Sequence, residues 1–179
     1  ELGILMSEDK RVPLVSATGS TRMGKAVSAT VGARLGKSLL ELGGNNAIII
    51  TPSAELKMVV PGAVFGAVGT AGQRCTSTRR LIIHEKVYDS FVAKLTKAYG
   101  QIKIGDPLDT NNHVGPLIDK LAVESYQKAI SLVDKQGGHW LVEGEVLSGE
   151  QYNSGCYVKP AIAEVDHSLE IVHQETFAP

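Results

Sequence analysis

Three stretches of this chain hold residue types whose spacing allows chemistry. In GTAGQRCTSTRR, residues 69 to 80, one cysteine closes a run of small residues and stands directly before a cluster of arginines. Small neighbours leave room for a ligand beside Cys75, and Arg74, Arg79 and Arg80 supply positive charge that favours a thiolate over a thiol of free pKa about 8.5. The competing reading is an inert core cysteine, because free cysteine is commonly buried for packing alone. The five histidines are scattered and none is close in sequence, so a Cys-His pairing would need a tertiary contact. Cys156, in a polar loop, reads as a bystander.

The second stretch is LLELGGNNAIII. Glu41 lies inside an apolar run, so if that run is a buried strand its carboxylate is either paired or held at the strand end facing a cleft. Desolvation there would raise its pKa toward the range of a general base. A strand-end salt bridge with an arginine is the open alternative. The third stretch is TGSTRMG, residues 18 to 24, where a strand ends in Gly and Ser at a helix start. Free backbone N–H groups and a positive dipole end suit a phosphate, although the pattern is not GxGxxG and most such turns bind nothing.

These groups need elements to carry them. VPLVSAT, residues 12 to 18, reads as a strand, followed by a tight turn and a helix that stops near Gly36. Leu39 to Leu42 and Ala47 to Ile50 read as two buried strands parted by a Gly-Gly-Asn-Asn break. A helical pattern fills Ala54 to Ala71, with a fresh start or a kink expected at Pro61. RRLIIHE is a strand, and the next helix places Val87, Phe91, Leu95 and Tyr99 on one face. A second amphipathic helix runs from about Asp119 to Gln136 and ends at Gly137-Gly138, and HWLVEGE and YVKPAIAEV are later strands. The alternation predicts an α/β fold with an open parallel sheet flanked by helices, and Gly43-Gly44 is the expected boundary between two parts.

Composition narrows the function classes. With 179 residues, 43% hydrophobic and 21% charged, the chain is ordinary for a globular α/β protein, and a net charge of −1 gives no field for nucleic acid or an anionic membrane surface. The apolar stretch Met58 to Gly72 is short of the roughly 20 residues that span a bilayer and reads as a buried helix. No secretory signal is recognised, and two cysteines outside a CxxC pair fit neither a disulfide framework nor a zinc site, so a reducing, cytoplasmic setting is expected. Small-molecule chemistry is the expectation, with no metal.

ATGST, LELGGNNAIII, GTAGQRCT and QETFAP, in that order, resemble the aldehyde dehydrogenase superfamily along the whole chain, and Glu41 and Cys75 stand 34 residues apart as in that family. VVPGAVFGAVGTAGQRCT and the Asn-Asn-Ala after ELGG look most like its antiquitin branch, the α-aminoadipic semialdehyde dehydrogenases of lysine catabolism. The resemblance implies that residues 1–44 end an NAD-binding domain and that residues 45–179 are part of a catalytic domain. It implies Cys75 as the nucleophile that forms a thioester with a small-molecule aldehyde, and Glu41 as the base that activates water. It implies NAD held by Gly19, Ser20, Thr21 and Gly24 at its pyrophosphate, by Leu42 and Gly43 beside the nicotinamide, and by Glu175 and Phe177 at the nicotinamide ribose and ring. Arg74 would read a charged substrate end or serve structure alone, whereas Arg79 and Arg80 would start a strand and pair with acids. The family's oxyanion asparagine and adenosine-reading residues are expected upstream of Glu1, so the chain resembles a fragment of a homotetrameric enzyme. A non-catalytic module, or a thiol esterase or acyltransferase without nicotinamide, is the rival expectation.

Overall fold

A computed structural model describes residues 1–179. The chain divides into two compact units, Glu1–Gly44 and Asn45–Pro179.

The first unit begins with a short helix, α1 (Leu2–Glu8), which the sequence reading did not anticipate. Then β1 (Leu14–Thr18), α2 (Thr21–Ala33) and β2 (Lys37–Glu41) form one unit in sequence order: strand, crossover helix, parallel strand. Parallel neighbours need such a crossover, and here the register runs from Leu14↔Lys37 to Thr18↔Glu41. Ser20 starts α2 as its N-cap, its hydroxyl accepting from the Met23 N–H at 3.1 Å. The helix ends on Leu35 in the left-handed region at φ 58°, one residue before the glycine expected to stop it. Val15 of β1 and Val31 of α2 are both buried. Leu14 and Leu39 stay exposed, which corrects the expectation of a strand buried throughout: one helix layer covers one face of a two-stranded ladder.

In the second unit β3 (Asn46–Ile50) pairs in parallel with β4 (Thr78–Ile83), joined by α3 (Leu56–Val68). Of the fresh start or kink expected at Pro61, the fresh start does not occur: α3 runs through Pro61, although Pro61 has no N–H to return to Lys57. After β4 comes α4 (Glu85–Tyr99), whose Phe91 and Leu95 are fully buried against Ile50, Val60 and Ala63, with Val87 and Tyr99 packed on the same cluster. That is the four-residue spacing of one helix face. Helix α5 (Lys120–Lys135) starts where Asp119 accepts from the Ala122 N–H at 2.8 Å and stops before Gly137, at φ 81°. Its Val123 and Tyr126 join Val68, Ala71, Val114, Leu117 and Cys156 in a second core cluster. Cys156 lies in a loop, as expected, and its side chain is buried as a packing residue.

Strands β5 (His139–Val142) and β6 (Ile162–Glu164) pair antiparallel. The expected open parallel sheet is thus corrected to three two-stranded ladders, two parallel and one antiparallel. The mixed α/β class stands. Ile50 is buried while Ile49 is exposed, so the ladder alternates along one covered face, and sequence alone could not tell this from a run buried on both faces. No helix is long and apolar enough to cross a membrane.

Two tyrosines give the fold a measurable alkaline limit. Burial raises the phenol pKa of Tyr99 and of Tyr126, whose hydroxyl also donates to the Lys159 carbonyl at 2.6 Å. A raised folded pKa contributes stability that is complete below the unfolded value near 10 and is lost as pH rises, because only the unfolded chain then releases the proton. Stability should therefore fall above about pH 10, by up to about 1.4 kcal/mol per pH unit for each tyrosine. Phenolate absorbance followed alongside urea melts checks this: both rings should ionise only as the chain unfolds, and early ionisation of all five would contradict it.

Candidate functional site

In the first unit the parallel pairing brings remote residues to one end of a ladder. Thr18 is the register partner of Glu41, and the Gly19 N–H donates to the Glu41 carbonyl at 3.0 Å. Glu41 thus ends β2 beside the turn that opens α2, at the carboxyl end of both strands, where open α/β sheets take ligands. Its carboxylate is exposed and makes no ion pair, which corrects both the expected burial and the alternative salt bridge. At the head of α2 the Ser20 hydroxyl caps Met23 and the Ser20 carbonyl accepts from Gly24. Thr21 and Arg22, the first two helical residues, have no intrahelical acceptor for their N–H groups. Gly19, Ser20 and Thr21 are exposed, so two unmet donors stand at a positive helix end on the surface. Gly24 is different. It is buried, and a Cβ there would collide with the Leu42 side chain, so its small size serves the packing of Leu42 beside the same strand end.

In the second unit Cys75 lies on a loop between α3 and β4. Thr70, Ala71 and Gly72 all hold positive φ, at 57°, 50° and 66°. Left-handed backbone costs roughly 1–2 kcal/mol at a residue with a Cβ, so the turn is held from outside. The hold is visible. Gly72 lies so close to Ala178 and Pro179 that a Cβ would strike their backbone, and the Gln73 side chain accepts from the Ile118 N–H at 2.9 Å. Beyond it, Arg74 and Ser77 close on each other: the Arg74 N–H donates to the Ser77 hydroxyl and the Ser77 N–H to the Arg74 carbonyl. Ser77 is buried, while the Cys75 thiol is exposed. No protein acceptor takes the Cys75 N–H, and its carbonyl accepts from the Asn46 side chain at 2.6 Å.

The three arginines do not surround the thiol as expected. Arg74 donates through Nε to the Thr70 hydroxyl at 2.8 Å and lies over the Phe65 ring at 5.3 Å, leaving its terminal nitrogens without a protein partner. Arg80 donates to the Asn45 carbonyl at 3.0 Å. Arg79 donates to the carbonyls of Ala178 and Arg74, and its guanidinium lies over the Phe177 ring at 5.5 Å. Backbone carbonyls, and not acids, are the acceptors for Arg79 and Arg80. The charge of Glu175 reaches Arg79 as well, though burial is the larger influence and lowers the Arg79 pKa. Arg74, Cys75, Glu175 and Phe177 are thereby brought into one neighbourhood, while Glu41, Leu42, Gly43 and the Gly19–Thr21 turn form another in the first unit.

Sequence reasoning missed Asn46. Its amide donates to the carbonyls of both Cys75 and Ser77, at 2.6 Å and 3.0 Å, fixing the loop to the first residue of β3. Asn45 donates to the Val172 carbonyl at 2.7 Å. The signal was present as two adjacent amides at a strand start, but an Asn pair there reads equally as turn chemistry.

The model of the aldehyde dehydrogenase family matches residues 1–179. α-Aminoadipic semialdehyde dehydrogenase of Bos taurus is 50% identical over 180 residues, covering 100% of this chain and 33% of that protein. Aldehyde dehydrogenase family 7 member A1 of Brassica napus is 45% identical over 179 residues, covering 100% and 35%. Among solved structures, betaine aldehyde dehydrogenase from Staphylococcus aureus in complex with NAD+ is similar with a TM-score of 0.94 at 28% identity, covering 98% of this chain and 35% of that one. The chain spans about a third of the length of the curated relatives it matches.

Proposed function

The chain belongs to the aldehyde dehydrogenase family, and from that premise we propose that the protein carrying it oxidises an aldehyde to a carboxylic acid, with NAD as hydride acceptor and a thioester on Cys75. The observation that carries the proposal is an exposed thiol whose own N–H has no acceptor, on a loop pinned by Asn46, Gln73 and Ser77. A nucleophile needs access, and the oxyanion formed when it adds to a carbonyl needs a fixed donor close to the attacking sulfur.

The residues then take these roles. The Cys75 thiolate adds to the aldehyde carbon, and the Cys75 N–H donates to the oxygen that becomes negative. NAD supplies the hydride acceptor for the second step. Collapse of the alkoxide leaves a thioester on Cys75, and Glu41 takes a proton from the water that hydrolyses it. An exposed carboxylate at a strand end has the access this needs. The N–H groups of Thr21 and Arg22 and the turn at Gly19 and Ser20 fit a pyrophosphate, with Gly24 setting the approach of Leu42, and Leu42 and Gly43 border the nicotinamide. Glu175 and Phe177 hold the nicotinamide ribose and ring. Residues 1–44 are the end of the coenzyme domain and residues 45–179 part of the catalytic domain.

For the substrate, we propose α-aminoadipic semialdehyde, supported by two features. The Bos taurus relative, identical at 50% of positions, carries that activity in its name. The free terminal nitrogens of Arg74, beside the nucleophile, suit a bidentate carboxylate. The whole protein is proposed to be a cytoplasmic homotetramer. NADH formation by the chain and by a protein of the relatives' length, with this aldehyde and with a simple aliphatic one, tests the reading. Turnover without NAD would replace it with a thiol esterase, and preference for the aliphatic aldehyde would remove the substrate assignment.

A further inference from the structure

Arg79 is set apart from its neighbours by the ladder that carries it. Strands β3 and β4 pair Asn46 with Thr78 and then Ala47 with Arg80, so Arg79 is an extra residue on β4 with no partner on β3. Such bulges are rare in parallel pairs, and they re-aim a side chain. In a regular strand Arg79 and Arg80 would alternate faces with the rest of the ladder. Here the guanidinium of Arg79 reaches two separate segments. Nη2 donates to the Arg74 carbonyl at 3.1 Å, one residue before the nucleophile, and Nη1 donates to the Ala178 carbonyl at 3.0 Å. Its face covers the Phe177 ring. The contacts leave Nε buried without an acceptor, so the side chain is not placed to satisfy itself. Gly72 supports the same junction by its close approach to Ala178 and Pro179.

We propose that Arg79 is a positioning residue that locks the Cys75 loop to the Glu175–Ala178 segment, so that the nucleophile and the segment facing the nicotinamide ribose keep one fixed separation. The functional half of this rests on the reading given above, and the structural half does not. Only a planar fork does the bridging: two terminal nitrogens take two carbonyls while the flat face lies on an aromatic ring, which a lysine ammonium cannot do.

Amide hydrogen exchange on the chain itself tests the lock without aldehyde or NAD, so it can fail while the dehydrogenase reading stands. In Arg79→Met, which keeps the stem and removes the fork, amides of residues 70–77 and of residues 174–178 should both exchange at least about tenfold faster, while α4, in the Phe91 cluster, stays at the native rate. Arg79→Lys should resemble Arg79→Met. Native exchange in either segment, or native behaviour of Arg79→Lys, overturns the proposal, and so does loosening that spreads through α4 and α5, which would make Arg79 a general stabiliser. In a protein of the relatives' length that turns over, Arg79→Met should raise KM for NAD about tenfold while the alkylation rate of Cys75 stays within about twofold. Equal losses in both would mean that the nucleophile itself is disturbed and no separation is being set.

Discussion

Replacing Cys75 with alanine is expected to remove aldehyde-dependent NADH formation entirely, whereas replacing Glu41 with glutamine is expected to leave one turnover per site and little after it. In the proposed mechanism the two residues act on opposite sides of a covalent intermediate. Without the sulfur no bond to the aldehyde carbon forms, hydride has no reason to leave, and the loss should reach at least about 10⁴-fold, as for other nucleophiles removed from a covalent mechanism. Glutamine at position 41 keeps the shape of the exposed strand end and removes the proton acceptor, so the thioester forms and then waits. Losing a general base costs typically about 10²–10⁴-fold in the step it serves. Rapid-mixing measurements on a protein of the relatives' length should therefore show a stoichiometric NADH burst in Glu41→Gln and none in Cys75→Ala. Mass spectrometry should find the acyl group on Cys75 in the former. A Glu41 variant that loses the burst as well would assign Glu41 to activating the thiol, and a Cys75 variant that still forms NADH would remove the cysteine from the chemistry.

How far these roles were legible depends on whether they come from chain order or from packing. The helix face Val87, Phe91, Leu95 and Tyr99 was readable because a four-residue spacing has one physical meaning in a long amphipathic segment. The helix starts near Ser20 and Asp119 were readable for a related reason, because short polar side chains before an apolar period commonly open a helix, and the structure makes both of them N-caps. The exposure of Glu41 was not, because an apolar run does not say how many faces of its strand are covered. Nor were the left-handed Thr70 and Ala71, since neither residue type favours that region and the turn is held by remote contacts, of Gly72 with Ala178, more than a hundred residues later, and of Gln73 with Ile118. Charge clustering misled most clearly. Three arginines near a cysteine in sequence looked like a field around a thiol, yet two of them face backbone carbonyls, because a strand start alternates sides and a bulge redirects Arg79. The gathering of Cys75, Glu175 and Phe177 is a consequence of those backbone contacts and is invisible to spacing.

The largest stability loss should follow Phe91→Ala. Phe91 has no exposed surface and fills the space between α4, α3 and β3, where Ile50, Val60, Ala63 and Leu95 are buried with it. Removing a buried ring forfeits its transfer free energy and adds the cost of the cavity, together about 3–5 kcal/mol. A domain's whole stability is about 5–15 kcal/mol, so a single substitution would take a large share of it. With an m-value near 2 kcal/mol/M, the urea midpoint of the chain should drop by about 2 M. Met58→Ala, on the exposed side of α3, is the control and should move stability by no more than about 0.5 kcal/mol. The loss should also reach the candidate site, because the β3–β4 ladder that Phe91 supports carries both Asn46 and Arg79, two of the side chains that hold the Cys75 loop. Faster alkylation of Cys156, which the native core buries, would report the opening directly. If the midpoint shifts while Cys156 stays protected, the two core clusters melt separately, and the cysteine loop leans on the α5 side of the unit and not on Phe91.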